Sequence, residues 1–140
     1  MRITSGTLKN KKIKSREGNE TRPTLERIKE AIFSIIGDKV VESKFLDLYS
    51  GTGNMAIEAL SRGAKRAILI EKNQEALRII IENINDCKLE NKSRAYKNES
   101  LRAIEILNRK NEIIDIIFMD PPYKENLTEK LVQNRLKNYL

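Results

Sequence analysis

The sequence predicts an α/β fold, a doubly wound and mainly parallel sheet, on three observations. From Lys44 onward, short apolar runs of β type alternate with segments whose apolar residues recur at helical spacing. The connections between them are short, as the links of a parallel βα succession are. The last run, Ile113-Ile114-Asp115-Ile116-Ile117-Phe118-Met119, is nearly continuous in apolar residues, the pattern of a strand buried on both faces.

Taken in order, residues 1–22 form a basic arm in which Ile3, Leu8 and Ile13 stand among lysines. Lys9-Asn10-Lys11 is a turn signal, so the arm suits a two-stranded hairpin, but it has too few apolar residues for a core of its own. The domain proper runs from 23 to 140. Thr21-Arg22-Pro23-Thr24 offers capping side chains and a first-turn proline to a helix with Leu25, Ile28, Ala31, Ile32, Ile35 and Ile36 on one face, closed by Gly37. Strand one, about 44–49, leads into a helix burying Met55, Ala56, Ala59 and Leu60 that stops near Gly63. Strand two is Ala67 to Glu71, followed by a helix with Ala76, Leu77, Ile80, Ile81 and Ile84 at helical spacing. Strand three, Arg94 to Lys97, precedes a helix carrying Leu101, Ile104 and Leu107. After strand four and Tyr123, a last helix would use Leu127, Leu131, Val132, Leu136 and Leu140.

Composition narrows the chemistry. At 140 residues the chain is one domain's worth, and no apolar run approaches the ~18 residues that span a bilayer. The start, Met1 to Gly6, lacks the apolar stretch of a signal peptide, so a cytoplasmic location is expected. The single cysteine, Cys87, excludes an internal disulfide and a multi-cysteine metal site and reads as structural. With no histidine, Ser-His-Asp and Cys-His triads and His-ligated zinc are excluded, and no metal is expected. The net charge of +7 is uneven: residues 1–22 carry seven basic groups against two acidic ones, leaving +2 for the other 118. Arg2, Lys9, Lys11, Lys12, Lys14, Arg16 and Arg22 are therefore candidates for contact with nucleic acid or another acidic surface.

In a doubly wound sheet ligands bind beyond the carboxyl ends of the strands, and the distinctive residues fall there. Asp47 ends strand one before Tyr49-Ser50-Gly51-Thr52-Gly53, whose glycines permit a sharp turn close to a ligand. Gly51, Gly53 and Ala56 satisfy the G-x-G-x-x-G/A pattern, which indicates a nucleotide-like cofactor without saying which. Glu71, 20 residues after Gly51, is spaced to accept hydrogen bonds from the hydroxyls of a ribose, in NAD or in S-adenosylmethionine. Asn98 and Glu99 follow strand three.

Asp120-Pro121-Pro122-Tyr123 after strand four favours methyl transfer, because hydride transfer has no use for it. An exocyclic amine on a base is a poor nucleophile while its lone pair is delocalised into the ring. The Asp120 carboxylate and the Pro121 carbonyl can each accept one of its N–H groups and aim the lone pair at a methyl donor. Pro121 and Pro122 stiffen that carbonyl, and Tyr123 offers a face on which a flipped base can stack.

These motifs resemble the bacterial RsmD-type methyltransferases that modify guanine N2 in 16S ribosomal RNA, of the S-adenosylmethionine-dependent Rossmann-like class. The resemblance rests on Met1-Arg2-Ile3 with Gly6, Thr21 to Thr24 with Arg27, Asp47 to Gly53, Ile57 to Ala64 and Asp120 to Tyr123, and it covers essentially the whole chain. It implies that Asp47, Gly51 and Gly53 hold the methionine part of the cofactor, with Tyr49, Ser50 and Thr52 in the same loop. It also implies that Glu71 holds the ribose, with Lys72 beside it, and that Asn98 and Glu99 flank the adenine, although Asp is the expected residue at the position of Glu99. Asp120, Pro121 and Tyr123 would hold the guanine amine, and Arg22 with the basic arm would face ribosomal RNA.

The class has seven strands and this sequence supplies four, so a shortened domain is expected, with strand four an uncovered edge through which chains could associate. Adenine-N6 or cytosine-N4 methylation, and a non-catalytic module that binds cofactor or RNA, remain alternatives on sequence grounds; NAD-dependent oxidoreduction is more distant.

Overall fold

The computed structural model describes residues 1–16 and 23–121. The expected last helix, Arg22, Pro122 and Tyr123 lie outside them. The described elements are α1 (Pro23–Ile36), a 3-10 turn (Gly37–Val40), β1 (Lys44–Asp47), α2 (Asn54–Ser61), β2 (Arg66–Glu71), α3 (Gln74–Asp86), β3 (Ser93–Lys97), α4 (Ser100–Arg109) and β4 (Ile116–Phe118). All strand pairs are parallel, in the order β3-β2-β1-β4.

Strand alternation divides the core in two. Phe45, Ala67 and Leu69 face α1, α2 and α3, where Phe33, Ala56, Ala59, Leu60, Ile80 and Ile84 bury them. Leu46, Leu48 and Ile70 face the other way, onto Ala103, Ile104 and Leu107 of α4. Helices on both faces of a parallel sheet make the doubly wound architecture that the alternation of elements predicts.

Three expectations are corrected. In α1 the buried positions are Lys29 and Phe33, whereas Leu25, Ile28, Ala31 and Ile35 face outward, Ile35 with 86% of its surface exposed. A periodicity count assigns the apolar side inward, but here a buried lysine selects the face. In α3, Ile81 is exposed although its neighbours at helical spacing are covered. The third correction is β4, which is three residues long and only partly buried, with Ile113 73% exposed. Burial on both faces needs neighbours on both sides, and among the described residues β4 pairs with β1 alone.

Within residues 1–16 the arm is a docked hairpin. Arg2 and Lys12 form an antiparallel bridge, Asn10 turns the chain with φ 73°, and Ile3 and Ile13 are buried against Ile57 and Cys87. Polar anchoring is as specific as the apolar contact. Glu58, fully buried in α2, accepts the N–H groups of Thr4 (2.9 Å) and Ser5 (3.2 Å) and pairs with Lys29 (3.0 Å) and Arg62 (2.9 Å). Burial pushes the Glu58 carboxyl up, but these donors outweigh it and hold the group below its usual range. Gly6 has φ +88°, and a Cβ there would lie 1.9 Å from the Ser61 carbonyl oxygen, so only glycine fits against α2.

Candidate active site

The glycine loop follows β1 directly. Ser50 N–H donates to the Ile70 carbonyl, the Ser50 hydroxyl donates to the Asp47 carbonyl, and Gly53 N–H closes back onto the Ser50 carbonyl at 2.8 Å. Gly51 and Gly53 have φ +57° and +84°, and Gly53 is the residue from which α2 starts. At Gly53 a Cβ would meet Leu69 at 3.3 Å, so that glycine serves both the turn and the close approach of helix to sheet.

The ends of the four strands converge on this loop. Glu71 accepts Gly51 N–H with one carboxylate oxygen (3.0 Å) and Asn73 N–H with the other (2.9 Å), which ties the end of β2 to the glycine loop. Asn98 N–H donates to the Glu71 carbonyl and the Asn98 side chain accepts Glu99 N–H, setting the start of α4. Leu48 N–H donates to the Phe118 carbonyl and so aligns the end of β4, just before Asp120.

A cavity of about 430 Å³ lies over these ends. Of the residues singled out in the sequence, Tyr49, Gly51, Glu71, Lys72, Asn98, Glu99 and Asp120 line it. Asp47, Ser50, Thr52, Gly53 and Pro121 do not; the first four build the loop. Sequence reasoning missed four further lining residues, the apolar Leu48, Ile70 and Leu101 and the polar Ser100, whose hydroxyl donates to the Leu48 carbonyl. The signal for Ile70 and Leu48 was their position at the ends of strands. The Tyr49 hydroxyl is buried with no hydrogen-bond partner among the described residues.

Asp47 is fully buried, and its carboxylate accepts one backbone bond, from Tyr49 N–H at 3.1 Å. Burial raises its pKa from 3.8 to about 7 against the lowering by that N–H, and the carboxylates of Glu71 and Asp120 push it further up. None of the three carboxylates is paired with Lys or Arg among the described residues. Such a group of acids favours a cationic ligand, and the sulfonium and ammonium of S-adenosylmethionine are cations. The cavity also lies within the roughly 300–1,000 Å³ typical of small-molecule sites.

Two buried side chains join the hairpin to this loop. Asn83 of α3 accepts Lys14 N–H (2.9 Å) and donates to the carbonyls of Lys14 (3.0 Å) and Thr52 (2.9 Å). Lys29 donates to the Arg2 carbonyl (2.7 Å) and to Asn54 (2.9 Å), the first residue of α2. Nothing in the local sequence marks either side chain, because each joins segments far apart in the chain.

Fold and site together define a Rossmann-like domain of the S-adenosylmethionine-dependent methyltransferase class. The chain belongs to the family described as "Conserved hypothetical protein 95", whose model matches residues 1–139, the family of the RsmD-type methyltransferases. It is 35% identical over 132 residues to YlbH of Bacillus subtilis (strain 168), covering 94% of this chain and 72% of that one. It is 30% identical over 132 residues to the Ribosomal RNA small subunit methyltransferase D of Escherichia coli (strain K12), covering 94% of this chain and 65% of the relative. Among solved structures it resembles a hypothetical protein of Thermus with TM-score 0.80 and 27% identity, covering 96% of this chain and 79% of that one. The chain thus spans about two thirds to four fifths of these relatives.

Proposed function

We propose that this chain transfers a methyl group from S-adenosylmethionine to the exocyclic N2 amine of a guanine in small-subunit ribosomal RNA. The observation that carries this reading is the presence of Asp120 in one cavity with Gly51 and Glu71. Membership of a family that includes small-subunit ribosomal RNA methyltransferases supports the choice of substrate.

When bound, the cofactor supplies an activated methyl group on a sulfonium. The chain's own residues place the two reactants. The Gly51–Gly53 loop, with the Asp47 carboxylate buried behind it, holds the methionine end of the cofactor, Glu71 with Lys72 holds the ribose, and Asn98 and Glu99 lie beside the adenine. Both Glu71 oxygens already accept a backbone N–H, and each retains a lone pair for a ribose hydroxyl. Asp120 and the Pro121 carbonyl accept the two N–H groups of the amine, Pro122 stiffens that carbonyl, and Tyr123 stacks on the base.

Mass spectrometry of small-subunit ribosomal RNA from cells with and without this gene tests the reading. Loss of one N2-methylguanosine on deletion is the expected result; loss of an N6-methyladenosine or N4-methylcytidine instead would assign a different base. Glu71→Ala is expected to weaken S-adenosylmethionine binding by ~1.5–3 kcal/mol, roughly ten- to a hundredfold, read by calorimetry. Binding of NAD in place of the methyl donor would contradict the cofactor assignment.

The hairpin contributes unequal cations. Arg2 pairs with Glu26, Lys14 with Glu82 and Asp86, and Arg16 with Glu75, while Lys9, Lys11 and Lys12 are exposed at the turn without an ion pair among the described residues. Neutralising Lys9, Lys11 and Lys12 together is therefore expected to weaken RNA binding and flatten its salt dependence more than neutralising Lys14, without changing the methylated base. An unchanged salt slope would remove the hairpin from the RNA-contacting surface.

A further inference from the structure

A second concavity, of about 370 Å³, runs along β3 on the α4 side of the sheet, the face opposite the hairpin. Its floor is apolar, with Ile68 and Leu107, and its rim carries Arg66, Lys92, Arg94, Lys97 and Lys110. None of these five cations has an ion pair among the described residues. The one carboxylate in the lining, Glu112, is taken by Lys44 at 3.0 Å. Tyr96 lies in the groove, half exposed at 50%. Strand alternation puts Arg94 and Tyr96 on one face, beside Ile68 and Ile70 of β2 in the parallel register. Lys92 falls on the same face by that alternation, so the track from Lys92 to Tyr96 is ~13 Å long at ~3.3 Å per residue. It ends where the cofactor cavity begins, because Asn98 and Ile70 line both.

We propose that this groove is a second RNA-contacting surface, on which a few single-stranded nucleotides next to the target base lie with their phosphates on the basic rim and a base on Tyr96. The proposal rests on the reading of the chain as an RNA methyltransferase, and it adds a contact surface that neither the hairpin nor the cofactor cavity supplies. Lysines on an edge strand can serve only to discourage strand pairing. That role accounts for Lys92 and Lys97, but it gives no reason for a half-exposed tyrosine over an apolar floor, nor for guanidinium groups on two adjacent strands. Unpaired cations around an aromatic face are the combination that holds single-stranded nucleic acid. The chain's own residues 122–140 have four basic and two acidic side chains, so their charge does not complement the rim. Continuity with the cofactor cavity favours the substrate over an unrelated acidic protein.

The test uses the purified full chain, a 12-nucleotide single-stranded RNA and small-subunit ribosomal RNA, with binding read by fluorescence anisotropy across a salt series. The double charge reversal Lys92→Glu with Arg94→Glu is expected to weaken binding of both RNAs at least tenfold and to lower the salt slope by about 1.4, the loss of two single-strand phosphate contacts. Cofactor binding by calorimetry should stay unchanged, which also reports that the variant is folded. Tyr96→Ala should weaken binding severalfold while Tyr96→Phe retains it, and ultraviolet crosslinking should mark the peptide containing Tyr96. Wild-type affinity and salt slope in the charge-reversed chain would overturn the groove, as would polyglutamate competing as well as RNA. If the unmodified chain bound neither RNA, the reading as an RNA methyltransferase would fail first; if it bound and methylated RNA while every groove variant behaved as wild type, only the groove would fail.

Discussion

Replacing Asp120 by alanine is expected to lower the rate of methyl transfer by roughly 10²–10³-fold while S-adenosylmethionine affinity stays within a few fold. Losing one preorganised group that stabilises the charge developing in a transition state costs about 2.7–4 kcal/mol, and here that charge develops on the amine. Asp120 is exposed at the end of β4 and lines the cavity, so its removal leaves no buried donor unpaired and should cost the fold little. The cofactor side stands to lose nothing, since the Asp120 charge raises the pKa of Asp47 and its removal eases ionisation of that group. Single-turnover transfer and calorimetry on the same preparation separate the two effects. If affinity fell in step with rate, Asp120 would belong to the cofactor site and the division of roles among the strand ends would be wrong. Asp120→Asn, which keeps one acceptor oxygen without the charge, should lie between alanine and wild type.

The glycine loop, the order of elements and the convergence of strand ends were readable because each depends on local rules. Positive φ at Gly51 and Gly53 demands glycine, and parallel connectivity places every strand's carboxyl end on one side. What local rules missed was set by partners distant in the chain. Lys29 looks like a surface residue in an amphipathic helix until Glu58, Asn54 and the Arg2 carbonyl surround it, and its burial turns Leu25, Ile28 and Ile35 outward. Asn83 gives no sequence signal for the same reason. Glu71 was legible as a strand-end carboxylate, yet its bonds to Gly51 and Asn73 N–H also make it a brace for the loop. The groove along β3 gathers Arg66, Lys92 and Lys110 from three separate segments, and a run-based reading of charge finds only the hairpin.

Asp47→Asn is expected to stabilise the free protein at pH 8 and to disable it as a cofactor binder. A carboxyl whose pKa rises from 3.8 unfolded to about 7 folded binds more protons in the native state between those values, so its contribution to stability falls as pH rises through that window. Above pH 7 the full cost applies: a shift of about three pH units, at 1.36 kcal/mol each, sets an upper bound of about 4 kcal/mol. Asparagine has nearly the same shape and still accepts the Tyr49 N–H, so it removes the buried charge and keeps the bond. Even half of that bound would raise the thermal midpoint by roughly 5–10 °C at pH 8, and the gain should shrink toward zero near pH 4, where the native aspartate is already neutral. Function would pay in the opposite direction, because the ionised form is the one that attracts the cationic end of the cofactor. Calorimetry should show wild-type affinity weakening as pH drops below 7, with protons released on binding, and Asp47→Asn binding roughly ten- to a hundredfold more weakly at pH 8 with no such dependence. Equal or lower stability of the variant at pH 8, measured beside a pH 5 control, would show that the Asp47 charge is already compensated in the free protein and is not held ready for a ligand.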